Sequence, residues 1–349
     1  MAYWIVFGLS LMFVVFTAIP LIRKTNWWIR IADFPRFQIS VILIVLLLAY
    51  LIVFNAGIIW HYIPILSILW AIVFQLSKMH PYTGWNKPQV KRTKNKVAGT
   101  NVSLLVANVL APNRRSDKLV QLITKYQPDL FLTLESNEWW GKQMEKLEKK
   151  YPHTVKKPLD NLYGMHLYSK LKLIDPEIKF TVQNDIPSIH TQVKLSDGSI
   201  IKLHCLHPRP PSPSESDTSL YRDAELLILG KQLKKNNENA IVAGDLNDVA
   251  WSRTSWLFRK VSGLLDPRIG RGFYNTYNAK YPLLRFPLDH VFHSDDFTLN
   301  KLKRLSYFGS DHFPLFISLS YNRKAQDRMK EPSADGDEKE RANEKISRL

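Results

Sequence analysis

The chain has 349 residues, enough for about two domains at roughly 150 residues each. Hydrophobic residues make up 45% and charged residues 23%, which excludes a wholly disordered chain. A single cysteine, Cys205, excludes an internal disulfide framework and a multi-cysteine zinc site, while a formal net charge of +17 asks where the basic excess sits.

Residues 3–22 carry no charge and are long enough to cross a bilayer. A cleaved signal peptide does not fit: there is no basic n-region, the apolar run is too long, and the next apolar stretch would still anchor the chain. Loop 23–38 holds Arg23, Lys24, Arg30 and Arg36 against Asp33. Residues 39–76 are a second uncharged stretch, and Asn55, Gly57, His61 and Pro64 mark a turn near its middle. The pattern predicts spans over 39–57 and 58–77, so that 1–77 forms a transmembrane region of about three helices; one long buried helix is the alternative. A basic linker, 78–98, follows, with Lys78, Lys87, Lys91, Arg92, Lys94 and Lys96 and no acid. Three spans put loop 23–38 and the linker on one side, and both are basic, which places the following domain on the cytoplasmic face. Trp27, Trp28, Trp60, Trp70 and Trp85 suit interfacial positions, and the lipid bilayer is the expected partner of this region.

From Asn101 the pattern changes to short apolar runs separated by helical periods. Strands are predicted at 102–107, 129–135, 163–169, 177–182, 188–195, 200–206, 239–244, 288–292, 302–307 and 313–320, with Asp197-Gly198 as a hairpin turn. Helices are predicted at 116–126, through about 150, at 219–235 and at 252–263. Hairpins mixed with strand–helix units indicate an α/β domain over 99–321, with two mixed sheets and helices outside. The tail, 322–349, is highly charged with few large apolar residues and is expected to be disordered.

Polar residues sit at the ends of the buried strands: Asn108, Glu135, His207, Asp245 and Asn247 in GDLND, Asp289 in PLDHVF, and Asp311 and His312 in GSDHFP. Taken singly, each fits a strand-end or turn role. Taken together they ask for more than that, because buried carboxylates are costly. A magnesium-dependent phosphoesterase gives such a set a purpose. Magnesium takes hard oxygen ligands, so Glu135 and Asp311 suffice to hold it; Asp245 suits alignment of the attacking water, and a His beside a carboxylate suits stabilisation of transition-state charge.

This ordered set resembles the endonuclease/exonuclease/phosphatase superfamily over about 100–320, through VANV at Asn108, LE at Glu135, LHP at His207, GDLND, LDH at Asp289 and SDH at Asp311 and His312. The resemblance implies a four-layer α/β/β/α sandwich and in-line hydrolysis without a covalent intermediate. It implies that Glu135 binds Mg²⁺ (or Mn²⁺) with Asn108 and Asp311 assisting. By the same resemblance Asp245 activates water, Asn247, His207 and His312 contact the scissile phosphate, and Asp289 orients His312. Three departures stand out: Leu134 where many members have Gln, His290 where many have an aromatic residue, and no sure match for the mid-strand Tyr or Glu, for which Tyr163 is the nearest candidate.

Arg209, Arg222 and Arg253 are further phosphate-contact candidates, each with a surface or helix-end role as the alternative. Trp139, Trp140, Trp251 and Trp256 read as packing, and Cys205 as a buried, inert thiol. The expected substrate is a phosphoester. A lipid headgroup or envelope phosphate is favoured by the adjacent spans and by bacterial members with a similar anchor that are linked to glycopeptide resistance, which points to a bacterial inner membrane. A nucleic acid is the alternative, and a non-catalytic scaffold is disfavoured by the intact acidic set. Nothing in the sequence points to a protein partner. Nine of the seventeen excess charges lie before residue 99 and the domain keeps +7, so charge does not choose between lipid and DNA.

Overall fold

The computed structural model describes residues 1–94, 97–322 and 329–349; Lys96 of the basic linker and residues 323–328 of the tail lie outside the described residues. Three helices, α1 (Ala2–Ala18), α3 (Arg36–Val53) and α4 (Tyr62–Met79), are long and apolar enough to cross a membrane. They pack on one another through Ile39, Leu43, Ile68 and Ala71 and leave side chains such as Ile52 and Leu66 facing outward. The turn between α3 and α4 is closed by Asn55, whose backbone N–H donates to His61 Nδ1 and whose Oδ1 accepts from Gly57 N. That turn consumes residues assigned above to the two spans, so both helices end earlier than expected at their shared end.

The α/β domain has two sheets. The first contains β1 (Asn101–Asn108), β2 (Leu130–Leu134), β3 (His153–Lys157), β4 (Met165–Ser169), β10 (Phe297–Arg304) and β11 (Leu315–Tyr321), in the order β10-β11-β1-β2-β4-β3. The second contains β5 (Lys172–Lys179), β6 (Ser188–Lys194), β7 (Ile200–Leu206), β8 (Ala240–Asp245) and β9 (Asp289–His293), in that order. Each sheet has one parallel pair, β1 with β2 and β7 with β8, and is otherwise antiparallel. Leu104, Val106, Leu132, Leu203, Ile241 and Ile317 fill the space between the sheets. Helices α5 (Ser116–Tyr126) and α6 (Glu138–Glu148) cover the first sheet through Leu119, Ile123, Trp140 and Met144. Helices α7 (Leu220–Asn236) and α8 (Arg253–Ser262) cover the second through Leu226, Leu229, Leu233 and Phe258. These are the four layers expected.

The differences from the sequence reading have physical causes. β3 is a five-residue edge strand with no strong apolar run. β5 starts earlier than 177 because Pro176 sits in the bulge between Ile174 and Glu177, where an edge strand tolerates a missing N–H. β10 starts at Phe297 rather than 302, since a bulge near Leu299 breaks its alternation.

The tail is a correction. It carries a helix, α9 (Gly336–Ser347), rather than wholly disordered chain. Asp335 and Glu338 form a reciprocal capping box, and Ala342 and Ile346, one turn apart, pack on Leu227, Leu257 and Val261. Two apolar residues at helical spacing are enough when a partner surface exists, and bulk composition hides them.

The basic linker is built into the domain. Val90 joins the inter-sheet core, Tyr82 Oη donates to Ala250 O at 2.6 Å, and Thr93 N donates to Leu299 O at 3.1 Å. Loop 22–35, which contains the short helix α2 (Trp27–Arg30), docks on the same domain: Trp251 Nε1 donates to Asp33 O at 2.7 Å, and Trp27 N to Asp217 O at 3.0 Å. The helical region and the domain are thereby held together by the linker that joins them and by the loop between α1 and α3. Asp335→Ala is expected to destabilise α9 by about 1 kcal/mol, read as faster amide hydrogen exchange over 336–347 with β1 and β8 unchanged.

Candidate active site

The sheets bring the site together because their pairing aligns strand ends. In the parallel pair β1–β2, Asn108 lies beside Leu134, so Asn108 and Glu135 leave at the same edge. In the antiparallel pair β8–β9, Asp245 faces Asp289 directly. β7 delivers His207, and the turn before β11 delivers Asp311 and His312. All eight residues singled out in the sequence thus lie at one end of the sandwich.

Two glycines permit the close approach. Gly244 sits at φ 149, and a Cβ there would lie 1.9 Å from the Leu206 carbonyl oxygen. A Cβ on Gly164 would lie 2.0 Å from the Ser136 carbonyl oxygen, so the turn that carries Glu135 presses directly on that strand entry. Glu135 itself adopts φ 56, in the left-handed region, which turns its carboxylate off the line of β2.

Asn108 is the bridge between the sheets. Its Nδ2 donates to Glu135 Oε1 at 2.7 Å and to Asp245 Oδ2 at 3.1 Å. Glu135 Oε2 is buried with no hydrogen-bond partner among the described residues, and burial pushes the carboxyl up to about 7. Asp311 is half-buried, accepts from Ser310 Oγ at 3.3 Å, and adds a negative charge near Glu135.

His312 lies between two carboxylates. Its Nδ1 is 2.8 Å from Asp289 Oδ2 and its Nε2 is 3.4 Å from Asp245 Oδ2. Burial opposes its charge, but Asp289 and Asp245 outweigh it and push the imidazole up to about 10. Asp245 is held below the ordinary carboxylate range: burial acts against ionisation, and the cationic His312 prevails, with Asn247 N donating to Oδ1 at 2.9 Å. His207, 3.9 Å from Asp245, is pushed down to about 4 by burial and is neutral; its Nδ1 has no partner among the described residues. Asn247, at φ 52, donates from Nδ2 to Pro208 O at 3.0 Å and ties the GDLND turn to the loop after β7.

Asp245, Asp289 and His312 each offer a ligand atom within 4.8 Å of the others. A protonated imidazole has no lone pair to give a metal, so this group reads as an ion-paired relay rather than a metal cage. The unpartnered, buried Glu135 Oε2 with Asn108 and Asp311 suits a hard divalent cation better.

The remaining candidates separate. Arg222 is buried and donates from Nη1 to Asn247 O at 2.6 Å while Nη2 pairs with Asp223 at 3.0 Å and Asp248 at 3.2 Å, so it holds the GDLND turn from behind. Arg209 is paired with Asp185 and lies over the Tyr163 ring; Tyr163 donates to Glu215 at 2.8 Å and its ring is 5.4 Å from His207. Arg253 lies away from the site, at the start of α8. His290, the departure from the common aromatic, accepts from Arg268 at Nδ1 (2.7 Å) and donates from Nε2 to Asp248 O at 2.8 Å. Arg268, which pairs with Asp266 at 2.8 Å, had no sequence signal, because nothing local to the DPR stretch shows that it reaches β9.

Raised above its ordinary value of 6.5, His312 contributes stability that is fully present below that pH and is lost as pH rises through about 10. By NMR, His312 is expected to remain protonated at pH 8; in Asp289→Asn its titration moves well below about 10, and an unmoved titration contradicts the assignment.

The family model described as Endonuclease/Exonuclease/phosphatase family matches residues 101–312. Among solved structures, the human Nocturnin catalytic domain with bound sulfate is similar at TM-score 0.54 and 16% identity, covering 69% of this chain and 99% of that one. Danio rerio (D. rerio) TDP2 complexed with single strand DNA product is similar at 0.51 and 18%, covering 63% and 99%. An endonuclease/exonuclease/phosphatase from Beutenbergia cavernae is similar at 0.52 and 15%, covering 64% and 72%. At these identities the likeness shows the fold. Two curated relatives, both translation initiation factor IF-2, from Clostridium novyi and Levilactobacillus brevis, match at 26% over 103 residues and 24% over 129, and the chain spans only 15% and 16% of their length.

Proposed function

The chain belongs to the Endonuclease/Exonuclease/phosphatase family, enzymes that hydrolyse phosphoester bonds, and from that premise we propose that it is a membrane-anchored, Mg²⁺-dependent phosphoesterase acting on a lipid-linked or envelope phosphate. The observation that carries this reading is the unpartnered Glu135 Oε2 on one side of Asn108 and the Asp245–His312–Asp289 relay on the other.

Glu135, with Asn108 and Asp311, would hold Mg²⁺ or Mn²⁺. When bound, the cation supplies positive charge to the phosphoryl and departing oxygens. Asp245, kept ionised by His312 and the Asn247 amide, aligns the attacking water and accepts its proton. His312 presents a fixed positive charge to the pentacovalent phosphate, and Asp289 keeps that ring charged and oriented. Neutral His207 and Asn247 complete the phosphate cradle. Water attacks in line, and among the described residues at this site no side chain is assigned as a covalent nucleophile.

The three apolar helices support the anchor and the lipid-phosphate preference. The basic loop and linker support a cytoplasmic face, and a bacterial inner membrane remains the expected location. A nuclease is the second reading, favoured by the fold shared with a TDP2 bound to single-stranded DNA product.

The full-length protein in detergent micelles is to be assayed with Mg²⁺ on polyprenyl pyrophosphate, phosphoinositide, sphingomyelin, plasmid DNA and an abasic oligonucleotide. Turnover is expected on a lipid phosphate, abolished by chelation and restored by Mg²⁺ or Mn²⁺. Asp245→Ala and His312→Ala are expected to cost at least about 10²-fold each. Cleavage of DNA alone would select the nuclease reading; turnover insensitive to these changes would end both. A phosphatase-positive, fluorescence-negative C-terminal reporter fusion would reverse the sidedness.

A further inference from the structure

A cavity of about 510 Å³ lies behind the catalytic turn, where the ends of α1 and α4, loop 23–36, the start of α8 and the tail helix α9 meet. Ten basic side chains and two acidic ones line it. Arg23, Lys24, Lys78 and Arg253 have no ion pair with a carboxylate among the described residues. Arg30 and Arg36, 5% and 2% exposed, both line it, and each keeps a buried Nε with no hydrogen-bond partner among the described residues. Their one carboxylate, Asp33, is shared between them. Burial, together with Arg30 and Arg23, pushes the Arg253 guanidinium below its ordinary value, which is the signature of cations crowded without enough counter-charge.

Apolar side chains line it as well, and Arg36 and Lys78 lie over the Phe74 ring. Leu21 and Phe74 come from the spans, and Trp251, Trp256 and Leu257 come from the domain. Such a cavity, lined by crowded cations and by apolar side chains that include Leu21 and Phe74 of the apolar helices, matches an amphiphile with an anionic head.

We propose that this cavity binds the phosphate headgroup of an anionic membrane lipid, at a site separate from the catalytic one. The proposal rests on the membrane-spanning reading of α1, α3 and α4, and does not depend on which substrate is cleaved. The phosphate sits among Arg23, Lys78 and Arg253 and takes the vacant donors of Arg30 and Arg36, while the acyl chains leave past Leu21 and Phe74. Neutralising this cluster also bears on the catalytic turn. Arg30 is held above its ordinary value, burial opposing and Asp33, Asp248 and Asp223 prevailing, and the last two are the carboxylates that clamp Arg222 under Asn247.

The test is native mass spectrometry of the full-length protein in detergent, titrated with phosphatidylglycerol, with phosphatidylcholine, or with inorganic phosphate. One phosphatidylglycerol molecule is expected to be retained in preference to phosphatidylcholine. Its affinity is expected to fall about fivefold for each cation removed in Arg23→Gln and Arg253→Gln, and further in the double variant. These two side chains lie on separate elements and neither is buried, so loss of folding in one leaves the other as the test; circular dichroism checks each. Equal retention of the two lipids, or unchanged affinity in folded variants, overturns the proposal. Displacement of phosphatidylglycerol by millimolar inorganic phosphate would show a free-anion site and overturns it as well. Because the readout is binding, failure here leaves the hydrolase reading intact, and failure of hydrolysis leaves this one intact.

Discussion

Asp245, Asp289 and Glu135 reach one end of the sandwich with little water around them, and buried carboxylates at such close quarters need compensating charge. His312 supplies it. Placed between Asp289 and Asp245, it holds Asp245 below the ordinary carboxylate range and offsets part of the burial that pushes Asp289 above it, and in return the two acids hold the ring charged at neutral pH. Asn108 does the corresponding work between Asp245 and Glu135, donating to both from one nitrogen. The site is therefore a ladder of alternating acceptors and donors that crosses from one sheet to the other. Remove the central cation and the sheets present a cluster of mutually repelling groups.

The same logic continues behind the cleft. Arg222 compensates Asp223 and Asp248 and donates from Nη1 to Asn247 O, so the backbone of the GDLND turn is held by a buried, ion-paired side chain rather than by a surface hydrogen bond. Lys345 of α9 pairs with Asp223, and Arg30 of the loop between α1 and α3 lies in the field of both acids. Arg30 in turn pairs with Asp33, which also pairs with Arg36, and Arg36 donates to Gln75 at 2.7 Å on α4. A series of ion pairs and charges in one another's field thus runs from the candidate site to the helical bundle. It ties the apolar helices to the candidate site, and it gives the cationic cavity its place beside those contacts.

Much of the site was legible because each residue ends a buried apolar run, where an acid or amide is costly unless a ligand or a partner meets it. Strands with strong apolar runs were legible for the same reason. The role of Gly244 was not legible, because the Leu206 carbonyl that β8 presses on lies 38 residues away in the chain. β3 was not, because an edge strand buries little, and α9 was not, because its stability comes from Ala342 and Ile346 meeting a surface built from α7 and α8. Arg268 and the function of His290 were equally hidden: their contacts join residues 22 or 42 positions apart and leave no local pattern. The N-terminal loop and linker were read correctly as basic, but charge alone did not show that Arg30, Tyr82 and Val90 are built into the domain.

Where the divalent cation sits tests the account most directly. Anomalous scattering from Mn²⁺-loaded crystals of the full-length protein locates it without reference to activity. The account predicts one strong site against Glu135 Oε2, with Asn108 and Asp311 beside it and His312 Nδ1 still on Asp289. A peak enclosed by Asp245, Asp289 and His312, with the imidazole as a ligand, would contradict it, because His312 would then be neutral and the charge ladder would not exist.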